Sequence, residues 1–588
     1  MRAIMVMFDS LNRGYLEPYG GTLVSTPNFR RLAEQSVCFD SHYANSLPCM
    51  PARRELHTGR YNFLHRSWGP LEPFDDSMPE LLKKAGIYTH LVSDHRHYWE
   101  DGGSTYHNRY SSWEVSRGQE GDPWKGLVDF ETEKPSEDFG CGDNPLVLLR
   151  PHSRWDQMNR RFINKIEDMP QVKTFDMGLS FIDDNHQADR WFLQIETFDP
   201  HEPFYIPGEE DEALDWPPYY PVRESVDIVE RVRRRYGRLL RLCDAQLGRV
   251  LDRMDAYGMW EDTMLIVNTD HGFLLGEHGW WGKSIMPLYQ ELVHTPLFLY
   301  DPRSRMQGER RSALTQNIDL APTLLEFFGL SRPEAMRGKP LRPVLEENAA
   351  QHAYALFGIH GGSVNITDGQ YVYMLPPAAA DNQPLYEYTL MPAHMASMFS
   401  REELHTLETV PGRDWSNHVP VLRIRKPTRN APGCSWRFGI KLFDLRTDPG
   451  QINELTDEAE ERRMLELLLR ALVENDCPEE QYERLGLPLG DKPLSDAEYR
   501  SWAERRNASM TPPVCAEADW SAAAAATYWV IAELFPYAVT EINAYLTAAA
   551  AKSRRITQRD LEDAIRLAVD EKDYFEAVYY TRLNGRTC

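Results

Sequence analysis

Short apolar runs alternate with amphipathic stretches through the first half of the chain. Ala3 to Phe8 is an uninterrupted apolar run that stops at Asp9, the pattern of a strand buried on both faces. Thr26-Pro27 then opens a helical pattern through Ala33, with Thr26 as the expected N-cap and Pro27 at the first helical position. Met78 to Ala85 reads as a helix closed by Gly86, and Tyr88 to Val92 as the strand that follows. Trp191 to Thr197 is another apolar strand ending in polar residues. Ser225 to Ala256 carries Leu239, Leu240, Leu242, Leu247, Val250, Leu251 and Met254 on one side and predicts the longest helix, stopping at Tyr257-Gly258. Met264 to Thr269 predicts a strand that delivers Asp270-His271-Gly272, and Thr295 to Tyr300 predicts another. This alternation predicts an α/β fold with a mostly parallel sheet flanked by helices, in which ligands gather at the carboxyl ends of the strands.

The character changes after about Val344. Tyr354 to Gly358, Ser363 to Thr367 and Gln370 to Met374 are short runs broken by Gly and Asp, which predicts a small antiparallel sheet. Lys441 to Leu445 adds a strand before a turn at Thr447-Asp448-Pro449-Gly450. From Ser495 onward helices are expected. Thr557 to Asp560 resembles a capping box, and Ala-rich stretches at 522 to 526 and 548 to 551 suit close helix approach. The expected organisation is an α/β catalytic domain over 1–345, a smaller α+β C-terminal subdomain over 346–480 and a helical extension over 481–588.

The 588 residues are 42% hydrophobic and 26% charged, enough to bury more than one core, and a disordered or collagen-like chain is excluded. The net charge of −24 repels nucleic acid and anionic membrane over most of the surface, so neither is expected as a partner. An anionic substrate therefore requires a local basic pocket. The first residues lack the basic region, long apolar core and cleavage site of a secretory signal, and no stretch has the apolar length of a membrane span. Eight dispersed cysteines without a C-x-x-C pair indicate neither a zinc knuckle nor a disulfide framework, and fit a reducing cytoplasm.

The most specific segment is Ser46-Leu47-Pro48-Cys49-Met50-Pro51-Ala52-Arg53, continuing to Leu56-His57-Thr58-Gly59-Arg60. Further on stand Thr269-Asp270-His271-Gly272, Gly276 to Lys283, Val293 to Leu297, Asn317 to Leu325 and Leu442 to Pro449. Taken alone, Cys49 is equally a buried thiol, Asp9 a strand-end turn residue and Asp270-His271 an ordinary loop. In this order, however, the segments resemble the type I sulfatases of the alkaline phosphatase superfamily, over about residues 1 to 455. Cys49, Pro51 and Arg53 match the C-x-P-x-R signature of that family, followed by its L-x-T-G-R ending.

The resemblance implies an alkaline-phosphatase-like fold and hydrolysis of a sulfate ester. It implies that Cys49 is oxidised by a maturation enzyme to Cα-formylglycine, whose hydrate supplies the nucleophile and splits one hard step into two. It also implies one divalent ion, held by Asp9, Asp270, His271 and the modified residue 49, which stabilises charge on the sulfate oxygens. Calcium is the ion of the family. Ser10 stands where many relatives have a second Asp and His271 adds an imidazole, which brings Mn²⁺ or Zn²⁺ into consideration. By the same resemblance Arg53 orients the nucleophile, Lys283 meets anionic oxygens, and His201, in an H-x-P-F segment, protonates the departing alcohol.

Many sulfatases have a G-K-W-H segment where this chain has Ser93-Asp94-His95-Arg96-His97-Tyr98-Trp99. His97 is the candidate replacement base, and His95 and Arg96 the candidate anion contacts. His360, Arg66 and Trp68 are candidates for the substrate mouth. The expected substrate is a small-molecule or saccharide sulfate ester. A phosphonate monoester or phosphodiester hydrolase on the same site is the alternative favoured by Ser10 and His271; a binding protein that has lost conversion of Cys49 is a rival of another class. The tail from 481, with Tyr528-Trp529-Val530-Ile531, is expected to pack on a second subunit or back over the catalytic domain.

Overall fold

Eight strands form the central sheet, in the order Glu309–Arg311, Val37–Phe39, Leu297–Tyr300, Thr263–Thr269, Arg2–Phe8, Trp191–Thr197, Tyr88–Ser93 and Ser112–Val115. All neighbours pair in parallel except Leu297–Tyr300, which runs antiparallel to both of its own. The computed structural model describes residues 1–131, 151–208, 226–284, 286–379, 382–426, 436–509, 519–520, 528, 539–553 and 555–568. The run 522 to 526, Trp529 to Ile531 and the cysteines Cys141, Cys434, Cys515 and Cys588 lie outside them.

The strand Arg2–Phe8 shows why so apolar a run is required. Ile4, Val6 and Phe8 enter one core, with Phe29 and Leu32 of the helix Pro27–Gln35, Phe175 and Leu179 of Pro170–Asn185, and Leu239, Leu247 and Leu251 of Val226–Ala256. Ala3, Met5 and Met7 point the other way, into a core with Met50 and Leu56 of Cys49–Thr58, Leu82 of Met78–Lys84 and Leu324 of Leu320–Phe327. The period-two alternation of side chains thus feeds two helical layers, and each fully buried Leu, Met or Phe contributes about 1.5–3 kcal/mol. Thr26 precedes its helix as expected but does not cap it: its hydroxyl accepts from the Glu17 amide at 3.1 Å instead.

Ala355–Gly358, Val364–Thr367, Tyr371–Leu375 and Lys441–Asp444 form the expected antiparallel sheet. A second sheet of Tyr386–Thr389, Val421–Arg425 and Glu408–Val410 was not foreseen, because its short strands are rich in charge and carry no clean alternation. The helix Glu458–Glu474 covers the first sheet through Met464, Leu465, Leu468 and Leu472, in a core that continues past residue 480 to Tyr482, Leu485, Tyr499 and Trp502. Two backbone bonds, Leu47 N to Gly358 O at 3.0 Å and Gly358 N to Asn45 O at 2.8 Å, stitch this subdomain to the segment entering Cys49. In the tail Val539–Ser553 packs on Gln558–Ala568, and Thr557 and Asp560 form the reciprocal capping bonds. Among the described residues no helix is long and apolar enough to cross a membrane.

Candidate active site

Four adjacent parallel strands, Thr263–Thr269, Arg2–Phe8, Trp191–Thr197 and Tyr88–Ser93, end on one side of the sheet. Phe8 is in register with both Thr269 and Thr197, so Asp9 and Asp270 leave the sheet side by side. Ser10 turns back at once with a φ of 61°, a left-handed conformation costly for a residue with a Cβ. The turn is held by Ser10 N donating to Asp270 Oδ1 at 3.1 Å and by the Tyr236 hydroxyl donating to Ser10 O at 3.1 Å. The Ser10 hydroxyl donates to Asp9 Oδ1 at 2.8 Å and accepts from Lys283 Nζ at 3.0 Å. A hydroxyl bridging an acid to a lysine therefore occupies the position of the second carboxylate.

Cys49 begins the helix Cys49–Thr58, all ten of whose residues are buried. Its Sγ lies 3.4 Å from His271 Nε2 and 3.7 Å from Asp9 Oδ1. Arg53, one turn on, is clamped on every side. Its Nη1 donates to Cys49 O and Asp270 Oδ2 at 2.9 Å, its Nη2 to Asp9 Oδ2 at 3.0 Å, and its Nε to Glu196 Oε1 at 2.7 Å. The Tyr98 hydroxyl bonds the other oxygen of Glu196 at 2.9 Å.

One ligand atom each from Asp9, Cys49, Asp270 and His271 lies within 4.8 Å of all the others. Ligands at the roughly 2.0–2.6 Å radius of a divalent ion span distances of that size, so the four residues fit one ion. His271 Nδ1 bonds Gly272 O at 2.8 Å, which leaves Nε2 toward the cluster. Burial and then Lys283 push His271 down to about 3, so its imidazole is neutral, as a ligand must be. Burial raises Asp9, but Arg53, His201, Lys283 and His271 outweigh it and keep this carboxylate ionised; Asp270 is pushed up by burial and by Asp9. A cation between them would bring both to the charged form. The Cys49 thiol is pushed far up by burial and by Asp9.

Lys283 is buried, 3.5 Å from Glu202 Oε2 and 3.9 Å from Asp9 Oδ1. Burial opposes its charge, yet Cys49, Glu202, Asp9 and Asp270 hold it above the usual lysine range. His201 Nδ1 lies 3.1 Å from Glu202 Oε2. Burial and Lys283 push His201 down to about 3, and burial pushes Glu202 up to about 7. With no anion beside it, the His201 imidazole is therefore neutral at pH 7.

The loop after Ser93 brings His95 and His97 to the same place. Their rings meet edge to face at 5.0 Å, His95 lies 5.1 Å from Phe198, and Trp68 meets His97 at 4.9 Å. Both nitrogens of His95 are buried with no hydrogen-bond partner among the described residues. Arg96 does not offer an open cation: its Nε donates to Glu120 at 2.6 Å and its Nη1 to Glu100 at 3.0 Å. Arg66 is likewise not at a mouth, being fully buried in ion pairs with Glu72 and Glu387. His360 bonds Phe63 O through Nδ1 at 2.9 Å, and its Nε2 is buried without a partner among the described residues. Asn317, which opens one of the segments singled out in the sequence, donates Nδ2 to Asp270 O at 3.2 Å, whereas Glu196, Glu100 and Glu120 escaped the sequence reading. Glu196 alone left a signal, a carboxylate within an apolar strand.

Comparisons with known proteins agree with this geometry. The family profile described as Sulfatase matches residues 2–330. The N-acetylglucosamine-6-O-sulfatase of Bacteroides thetaiotaomicron is 26% identical over 406 residues, covering 58% of this chain and 70% of its own. In fold, the chain resembles the phosphonate monoester hydrolase of Agrobacterium radiobacter with a TM-score of 0.54 at 17% identity, over 81% of this chain and 96% of that one. It also resembles a protein solved in complex with its substrate D-glucosamine-2-N,6-O-disulfate, with a TM-score of 0.52 at 16% identity, over 81% of this chain and 98% of that one.

Proposed function

The chain belongs to the sulfatase family, and from that membership we propose that it hydrolyses the sulfate ester of a saccharide, with residue 49 as Cα-formylglycine and one divalent ion held by Asp9, Asp270 and His271. The observation that carries this reading is the convergence of Cys49, three metal-ligand side chains, Arg53 and Lys283 at the ends of adjacent strands. Bound there, the ion would lower the cost of negative charge on the nucleophile and on the sulfate oxygens. Calcium is the family's ion, and the His271 imidazole suits Mn²⁺ or Zn²⁺.

Arg53 orients the helix start through Cys49 O, and Lys283 meets the anionic oxygens as a point charge. A bound anionic ester raises His201, whose Nδ1–H is held by the Glu202 main-chain O at 2.5 Å, so that Nε2 takes up a proton and passes it to the leaving oxygen; the Glu202 carboxyl, 3.1 Å from the ring and pushed up to about 7 by burial, is the adjacent proton store. His95 and His360, with their unpartnered nitrogens, contact the sulfate and the sugar. The dispersed cysteines of the sequence, with no C-x-x-C pair, make the cytoplasm part of this reading, as the maturation of Cys49 makes a formylglycine-generating enzyme a partner. Ser10 and His271 favour a second reading, a phosphonate monoester or phosphodiester hydrolase. Initial rates on matched aryl sulfate, phosphonate monoester and phosphodiester substrates decide: sulfate should have the highest kcat/KM. A phosphonate or diester rate tenfold above it, about 1.4 kcal/mol of transition-state preference, would reverse the assignment.

A further inference from the structure

Two histidines each have a glutamate close in sequence at Nδ1, but His201 Nδ1 bonds the Glu202 main-chain O at 2.5 Å whereas His97 Nδ1 bonds the Glu100 carboxylate. His201 lies 3.1 Å from Glu202 Oε2, and His97 lies 2.6 Å from Glu100 Oε2. Their settings differ. Glu202 sits beside Lys283 and is pushed up to about 7 by burial, whereas Glu100, raised by burial, is lowered more by its bond to His97 and by Arg96. Arg96 ties Glu100 to Glu120, so the Glu100 carboxylate cannot swing away. The backbone is equally fixed: Glu100 N donates to His97 O at 3.3 Å, Gly103 N to Glu100 O at 2.9 Å and Gly102 N to Met395 O at 2.8 Å. A Cβ at Gly103 would come within 1.7 Å of His97 O, so the turn closes tightly around the pair.

We propose that Glu100 is a positioning residue that fixes His97 with Nδ1–H toward its carboxylate and Nε2 toward the pocket, making His97 the imidazole that exchanges protons there. This rests on the sulfate-ester reading and extends it to a segment that departs from the family pattern. The charged and titratable groups around His97 are Glu100, Glu120, Arg96 and His95, with the Trp68 ring edge-on. In the step assigned to it, Nε2 takes the proton of a hydroxyl, that oxygen keeps the bonding pair, and ionised Glu100 stabilises the imidazolium formed.

The test uses full-length protein labelled with ¹⁵N-histidine, with His97 assigned by its loss in His97→Asn. At pH 8 the wild type should show a protonated Nδ1 and an unprotonated Nε2. Glu100→Ala should mix the tautomers and cut kcat about 10- to 100-fold, with KM within about threefold. Glu100→Gln, which keeps an acceptor without the charge, should restore the tautomer and part of kcat. A protonated Nε2 in the wild type, or an unchanged spectrum in Glu100→Ala, overturns the proposal. If Glu100→Ala does not fold, the wild-type spectrum and Glu100→Gln still decide it. Absence of sulfatase activity in the wild type sinks the substrate reading, while the spectra judge Glu100 separately.

Discussion

The two flanks of the pocket are built on opposite principles. On the strand-end flank, Asp9, Asp270, Glu196, Arg53 and Lys283 satisfy one another through bonds of 2.7 to 3.1 Å and by way of Ser10. On the facing flank, His95 Nδ1 and His95 Nε2 are buried without partners among the described residues. A buried polar atom left unbonded costs about 1–3 kcal/mol, whereas a bonded network holds its own geometry. The first flank therefore holds its own geometry, whereas the second gives up stability, as expected if its nitrogens serve the substrate in the function proposed above.

Replacing the nucleophile should have the largest effect. Cys49→Ala is expected to reduce kcat by about 10⁴-fold or more, because groups acting as a unit fail together, with little change in thermal unfolding. Residual activity near the wild-type rate would remove residue 49 from the chemistry. Arg53→Met tests the stability half of the contrast: three buried carboxylates lose their common cation, and urea unfolding should show a loss of about 3–5 kcal/mol. An unfolding free energy within 1 kcal/mol of wild type would mean that the network is not holding the strand ends. Asp270→Ala should lower bound metal, read by elemental analysis, and kcat in parallel. Full metal occupancy in that variant would show the ligand set to be wrong.

The facing flank should behave in the reverse manner. His95→Leu is expected to cut kcat/KM about 10- to 100-fold while leaving stability unchanged or higher by about 1 kcal/mol, since it removes two unbonded nitrogens. A destabilised but active variant would contradict the contrast. A further effect is shared by both flanks and comes from histidines elsewhere. Burial pushes His42 down to about 4 and His57 and His294 to about 3, against about 6.5 in the unfolded chain. Folded-state values below the unfolded one mean that the unfolded chain binds more protons between them. Stability is thus fully present above pH 6.5 and lost as pH falls toward 3 to 4, by at most about 1.4 kcal/mol per pH unit for each group. Denaturant unfolding between pH 8 and 5 measures the slope, and a flat profile would refute it.

The difference between the flanks also explains what the sequence disclosed. Asp9 and Asp270 follow strands whose apolar runs are unmistakable, and Cys49 and Arg53 sit one helical turn apart, so local pattern is enough to place them. The facing flank is assembled from a loop, a turn and another subdomain. Nothing in Ser93 to Trp99 reveals that Arg96 is neutralised by Glu120, 24 positions away, or that Glu387 claims Arg66 across 321. In the fold the same division holds: the parallel strands and the long helix were legible, whereas the sheet of Tyr386–Thr389, Glu408–Val410 and Val421–Arg425 depends on pairings that no local period encodes.

A helix with all ten residues buried has a consequence for the order of events during synthesis. Once the sheet has closed over Cys49–Thr58, no second protein can reach the thiol, so an enzyme that oxidises it must meet the segment as extended chain. Folded thiol protein given that enzyme should stay a thiol by mass spectrometry, while a Cys49 peptide should be converted; conversion of the folded form would refute the point. With residue 49 converted as proposed above, the active fraction of a population would record a race between modification and folding, beyond later adjustment.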